Sequence, residues 1–203
     1  GEIDLSVAGI LALASTAMGA AAQVGAGVPE LVVIGLGVGV LCGMFNGILV
    51  AGLKLPSIVV TIGTMSLFRG IAYIVLGDQA YTGYPAGFSF FGQGYVYWVI
   101  SFEIVLFLIM AVIFYVLLHR TSFGRSVYAI GNNNLAARFS GIRVQRVKFI
   151  LFMLTGAMGL VTFGLGLLNV PGIVMSIFTG AMLIIVIAMP IVIGRIRNRL
   201  ARP

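Results

Sequence analysis

Residues 119–148 read HRTSFGRSVYAIGNNNLAARFSGIRVQRVK. This stretch holds six of the 12 Lys and Arg residues in the chain, Arg120, Arg125, Arg138, Arg143, Arg146 and Lys148, and no acid. Strongly apolar runs flank it on both sides. The last residues repeat the pattern, with Arg195, Arg197, Arg199 and Arg202 and again no acid. Basic segments between apolar runs are retained on the cytoplasmic side of a bilayer. The reading therefore predicts a class, an integral membrane protein, and an orientation, with residues 119–148 and 195–203 inside.

Working outward, the whole composition agrees. Of 203 residues, 61% are hydrophobic and 8% are charged, and the mean hydropathy is +1.17. A soluble domain carries about 25% charged residues, so this chain could not cover a water-facing surface. The net charge of +7 reads as cytoplasmic excess beside anionic headgroups, not as a nucleic-acid footprint. Cys42 is the one cysteine, so no intrachain disulfide can form, and a packing role suits it. His119 is the one histidine. No carboxylate pair, Cys/His cluster or nucleotide-cradling loop stands in the sequence. An enzyme is not expected, and no cofactor is implied.

Apolar segments are predicted over residues 5–23, 31–53, 57–76, 98–118, 149–168 and 172–194. Each approaches the ~20 residues of a spanning helix. The expected fold is an all-α polytopic helix bundle with about six membrane segments, forming one domain over residues 1–203. Alternation then puts Lys54 inside. Glu30, Asp78 and Glu103 fall at the outer side, where no Lys or Arg occurs. The outer loop 77–97 is rich in Tyr, Phe and Gly. Its aromatics read as an interfacial belt, or as a sugar-stacking surface. Gly35, Gly39, Gly43 and Gly47 repeat every fourth residue, the spacing that lets a second helix approach closely.

Few polar residues interrupt the apolar runs. Asp4 and Ser6 open the first run, where they could cap a helix or face a cavity at a helix break. Asn46 lies at the edge of the glycine face. Ser57, Thr61 and Thr64 share one helix face, either lining a polar path or bonding to their own helix carbonyls. Arg69 lies well inside an apolar segment, a functional charge or a snorkelling side chain. Asp4, Asn46, Thr61, Thr64 and Arg69 are the substrate-path candidates. A self-contained ion-coupled carrier would need acids buried within the bundle. Only Asp4 and Glu103 come near, both at segment ends, so an energy source on another subunit is expected.

The basic stretch offers a place for that subunit. Asn132, Asn133 and Asn134 can start a short helix over residues 135–140, and Gly141 can end it. Such a helix would suit a groove on a partner, whereas a bare loop would only meet lipid headgroups.

The run Phe123-Gly-Arg-Ser-Val-Tyr-Ala-Ile-Gly-Asn-Asn133, followed by Ala136-Ala-Arg-Phe-Ser-Gly-Ile142, resembles the permeases of bacterial sugar ABC importers of the ribose/xylose/autoinducer-2 group. Three further stretches agree: Gly1-Glu-Ile-Asp-Leu-Ser6, Phe45-Asn-Gly47 and Pro56-Ser-Ile-Val-Val-Thr-Ile-Gly-Thr64. Residues 54–79 and 161–176 look most like rhamnose-importer permeases. The resemblance implies a multi-pass subunit of the bacterial inner membrane, paired with a second permease copy or a paralogue. It implies a cytoplasmic ATP-binding subunit docking on residues 131–141 and a periplasmic sugar-binding protein outside. The coupling residues would be Arg125, Gly131, Asn132, Asn133, Ala136, Ala137, Arg138 and Gly141. Three departures from the family pattern are noted. Glu2 stands where the family usually has Gly. Membrane segments upstream of Ile3-Asp-Leu-Ser6 are expected to be missing. So is a glycine-rich stretch between Met158 and Gly159, so that 149–168 would join two half-helices. A truncated, non-transporting membrane scaffold is the corresponding alternative.

Overall fold

A computed structural model describes residues 2–90, 95–96 and 100–166. Its helices are α1 (Val7–Gln23), α2 (Val28–Gly47), α3 (Ser57–Leu76), α4 (Phe102–Arg120), α5 (Ser122–Asn132), α6 (Asn134–Phe139) and α7 (Val144–Gly166). The predicted segment 172–194 and the tail 195–203 lie outside the described residues. The fold is an all-α membrane protein, as the composition requires.

Local chemistry sets the helix ends. α2 starts three residues before the predicted segment because Pro29 sits in its first turn, where a missing N–H costs nothing. The Glu30 carboxylate there accepts the Gly27 N–H. The far end of α2 widens into a π turn, Ile48–Gly52, closed by Leu53 N–H to the Ile48 carbonyl at 3.0 Å. Lys54 follows with φ of +58°, a conformation that costs a non-glycine residue about 1–2 kcal/mol. Pro56 cannot continue the turn, and α3 begins at Ser57, matching the predicted segment 57–76.

The predicted segment 98–118 is shifted. α4 begins only at Phe102, behind a short antiparallel ladder that pairs Tyr95 with Ser101 and Val96 with Ile100. Aromatic and β-branched residues suit that extended pairing. At its other end the chain turns by 74° between Leu108–Arg120 and Ser122–Asn132. Thr121 makes the corner: its Oγ1 accepts the Gly124 N–H at 3.2 Å and donates to the Leu117 carbonyl. His119 braces it, stacked on Tyr115 with ring centres 4.5 Å apart and tilted against Tyr128. α7 starts five residues before the predicted segment 149–168 and runs as one helix across Met158-Gly159.

By length and apolarity, Val28–Gly52 and Ser57–Leu76 can each cross a membrane, and the bent α4–α5 pair can supply a third crossing. α1 is apolar but shorter, at 17 residues. It packs against α2, α3 and α7, and α2 lies along α7.

The glycine face of α2 is that contact. A Cβ on Gly39 would run into the Gly156 carbonyl, and one on Gly43 into the Phe152 carbonyl. Gly156 answers from α7, where a Cβ would lie 3.0 Å from Gly43 Cα. Small residues thus bring the two backbones together, as the four-residue spacing predicted. Buried side chains complete the core in three groups: Met18, Ala22, Leu31 and Phe88; Ile10, Cys42 and Phe68; Val50, Val60 and Phe152. Cys42 is a packing residue. Phe88 carries the Tyr- and Phe-rich loop back onto α1 and α2, with Tyr84 stacked on it at 5.2 Å. This part of the loop packs against the helix ends.

Large apolar side chains face outward along the helices, among them Val59 at 68% exposure and Ile74 at 82%. Contiguous apolar surface of this kind belongs in hydrocarbon.

Candidate functional site: a buried polar cluster beside a short surface helix

The first polar residues of the chain fold into the place where α1, α2 and α3 meet. Asp4 forms an Asx turn ahead of α1, its Oδ1 accepting the Ser6 N–H at 2.9 Å and the Ser6 hydroxyl at 2.6 Å. Ser6 Oγ in turn accepts from Asn46 Nδ2 at 2.7 Å. Asn46 and Ser6 are fully buried. Ser57, at the start of α3, accepts the Ile3 N–H at 3.3 Å. Thr61 donates to the Ile58 carbonyl at 3.4 Å and lies 3.5 Å from the Ile3 carbonyl. An extended strip, residues 2–5, is thereby stitched into a bundle that is otherwise greasy.

Two acceptors in this cluster, Asp4 Oδ2 and Asn46 Oδ1, are buried and have no hydrogen-bond partner among the described residues. Buried polar atoms are almost always satisfied, so this pair is unusual. Asn46 Oδ1 is an open acceptor inside the helix core. Asp4 also lines a cavity of about 230 Å³, together with Glu2, Ile130, Gly131, Lys148 and Thr155. The Asp4 strip and the end of α5 each give one wall of the cavity, and α7 gives a third with Val147, Lys148, Leu151, Phe152 and Thr155.

An ion pair, Glu2 with Lys148, closes one side of this cavity. Burial raises the Glu2 carboxyl, but the hydrogen bonds from Lys148 and Ser57 and the Lys148 charge outweigh it. The net effect holds Glu2 below the ordinary carboxylate value.

The five substrate-path candidates separate into groups. Asp4, Asn46 and Thr61 come together. Thr64 sits one turn further along the same buried face and donates to the Thr61 carbonyl at 3.4 Å, within its own helix. Arg69 is exposed on another face of α3 and has no ion pair among the described residues. Ser6 and the Glu2–Lys148 pair are the additions. Ser6 could be noted from sequence as opening α1, but nothing in the sequence joins it to Asn46. Glu2 and Lys148 stand 146 positions apart, beyond any spacing rule.

Of the coupling candidates only Gly131 lines this cavity; the others lie elsewhere along residues 125–141. α6 covers Asn134–Phe139, one residue earlier than predicted at each end. Of the three asparagines, Asn133 is the cap: its Oδ1 accepts the Ala136 N–H at 3.0 Å. Gly141, with φ of +81°, turns the chain out of the helix as a left-handed residue can. Ala137 faces inward at 4% exposure, whereas Phe139 stands out at 88% and Leu135 at 67%. Arg138 lies between those two in sequence and is exposed. Gly131, Asn132 and Ala136 are exposed at the α5–α6 junction. Arg125 is exposed on α5 and donates to Ser122 Oγ at 2.7 Å.

Comparison with known proteins decides the family. The family described as "Branched-chain amino acid transport system / permease component" matches residues 1–201. The chain belongs to this permease family. It is similar to the autoinducer 2 import system permease protein LsrC of Salmonella typhimurium, with 38% identity over 163 residues, 77% of this chain and 45% of that protein. It is also similar to LsrC of Escherichia coli O9:H4, with 37% identity over 163 residues, 77% of this chain and 46% of that protein. The chain thus spans about half the length of the curated relatives it matches. No solved structure matches. The permease is an integral membrane protein of the transport class that includes the sugar ABC importers.

Proposed function

We propose that this permease forms part of the membrane passage of an ATP-driven importer for a small polyhydroxylated solute. An L-rhamnose-type methylpentose is the sugar its sequence favours, and the autoinducer 2 named for its relatives is the second solute to test. The observation that carries the reading is the cavity shared by Asp4 and Gly131. Asp4 of the polar cluster and Gly131 share its lining, which supports a coupling role for the segment around Gly131. Movement of α5 and α6 would open or close the Asp4 wall, and the Asp4 Oδ2 acceptor, without a partner among the described residues, suits donation from a solute hydroxyl. A switch of this kind requires different contacts in two states, and in this reading Gly131 makes them.

The basic end of the bundle, with Lys54 and residues 119–148, faces the cytoplasm of a bacterial inner membrane in this reading. A cytoplasmic ATP-binding subunit docks on exposed Leu135, Arg138 and Phe139, hydrolysing ATP on its own chain. A periplasmic sugar-binding protein delivers solute at the Glu30 end, and a second permease copy or paralogue completes the passage.

Co-purification from detergent with the ATP-binding subunit tests the assignment, comparing the wild-type chain with Gly131→Trp/Arg138→Glu. Binding lost in the double variant supports coupling at α5–α6. Binding that survives it puts the coupling surface elsewhere. Uptake of labelled rhamnose and autoinducer 2 into proteoliposomes holding the assembled complex then separates importer from scaffold.

A further inference from the structure

A second cavity lies at the basic end, outside the polar cluster. It has a volume of about 610 Å³ and is lined by Lys54, Arg138, Arg143, Arg146 and Lys148, with no acid on its walls. Lys148 is paired with Glu2. The other four cations have no ion pair among the described residues. The first turn of α7 forms part of the wall, and the backbone N–H groups of Gln145 and Arg146 find no acceptor among the described residues. Free N–H groups at a helix start add to the positive potential. So much unbalanced charge around one hollow is built for an anion.

The anion's kind follows from what adjoins the hollow. An apolar groove of about 420 Å³ runs between the π turn and α7, lined by Ile48, Ala51, Gly52, Phe149 and Ile150. It shares Gln145 and Arg146 with the basic cavity. Along α7 the side chains change from Arg146 to Phe149 and Ile150, a rise of roughly 6 Å at about 1.5 Å per residue, with Arg143 just before the helix. Ile48 and Ile150 are exposed. A ligand filling both halves has a phosphate at one end and a hydrocarbon chain at the other. A free phosphate would leave the groove empty, and a neutral lipid would leave the cations unpaired.

We propose that the basic cavity and the adjoining groove together hold one anionic phospholipid, its phosphate among Lys54, Arg143 and Arg146 and an acyl chain against Ile48, Phe149 and Ile150. Asn134, Leu135 and Arg138 of α6 line one side of the basic cavity, and Lys148 is shared with the cavity at Asp4; the phosphate and acyl positions proposed here use none of these four.

Native mass spectrometry of the purified chain tests this, with phosphatidylglycerol, phosphatidylcholine and glycerol 3-phosphate as separate probes. Phosphatidylglycerol is expected to be retained over phosphatidylcholine, and Arg146→Gln to weaken retention about fivefold, the equivalent of about 1 kcal/mol per basic side chain near an anionic surface. Arg120→Gln removes the same charge outside the cavity and is expected to leave retention unchanged. Ile150→Glu, placed in the groove, is expected to weaken phosphatidylglycerol without strengthening glycerol 3-phosphate. Size exclusion of each variant identifies any that misfolds, and Lys54→Gln then replaces it. Equal retention by Arg146→Gln and Arg120→Gln overturns the site in favour of annular lipid. Glycerol 3-phosphate binding as tightly as phosphatidylglycerol overturns the lipid in favour of a soluble phosphate.

Discussion

Gly37 and Gly39 lie two residues apart on α2 and offer a sharp test of the packing. At Gly37 an added Cβ meets nothing within 4 Å. At Gly39 it meets the Gly156 carbonyl oxygen inside any normal contact distance, the carbonyl carbon at 3.1 Å and Ala157 Cα at 3.5 Å. These are backbone atoms of α7 and cannot swing aside, so the helices must separate. Glycine-to-alanine in a helix gains about 1 kcal/mol of intrinsic propensity at either position. That term cancels when the two variants are compared. What remains is the overpacking at Gly39, about 1–3 kcal/mol. Detergent-solubilised Gly37→Ala should therefore match or exceed wild type in stability, and Gly39→Ala should fall below Gly37→Ala by that amount. Unfolding in increasing SDS mole fraction, followed by far-UV circular dichroism, measures the difference. Equal midpoints for the two variants would refute a close α2–α7 approach through this glycine face.

Other expectations follow from the same geometry. A double-mutant cycle between Asn46→Ala and Ser6→Ala should give a coupling of about 0.6 kcal/mol and no more than about 1.7, the range for hydrogen bonds between membrane helices, and zero coupling would dissolve the cluster. Asn133→Ala removes the cap on α6 and should cost about 1 kcal/mol, seen as faster hydrogen exchange at the Ala136 amide with α7 unaffected. The Glu2 carboxyl has its pKa lowered by folding, so its contribution is present above the ordinary value of 4.5 and is lost as pH falls through the lower folded value. A Glu2→Gln variant should lack that acid-side loss in a pH series of SDS unfolding, and an unchanged pH dependence would remove the clamp from the account.

Much of the fold was legible because membrane solvation leaves few choices. The boundaries of α3 follow from Pro56 before it and Gly77 after it. The glycine spacing on α2 announced close packing, and Asn133 with Gly141 announced α6 to within one residue. Errors arose where ends depend on distant or irregular backbone. α4 starts late because residues 95–96 and 100–101 pair as strands, and α7 starts early because the Arg143 carbonyl already accepts the Val147 N–H at 3.2 Å. Within the candidate site, Asp4, Asn46 and Thr61 were picked as polar residues in apolar runs, and they do converge. Arg69 was picked on the same argument and stands apart, since a polar residue in an apolar run carries no direction until the helix has packed.

By itself the sequence determined the solvent, the helical class and the family. A chain with 8% charged residues has only hydrocarbon in which to place its surface, and helices satisfy their own backbone there. Its short motifs then carry the permease resemblance without reference to shape. Only the tertiary structure decided which polar residues meet. The Ser6–Asn46 hydrogen bond, the Glu2–Lys148 pair, and the hollow with Asp4 on one wall and Gly131 on the other all join residues far apart in the chain. Helix periodicity fixes a side chain's angle on its own axis. The rotation of one helix against another is set by packing, here by Gly39, Gly43 and Gly156, and that rotation is what turns scattered polar residues into a site.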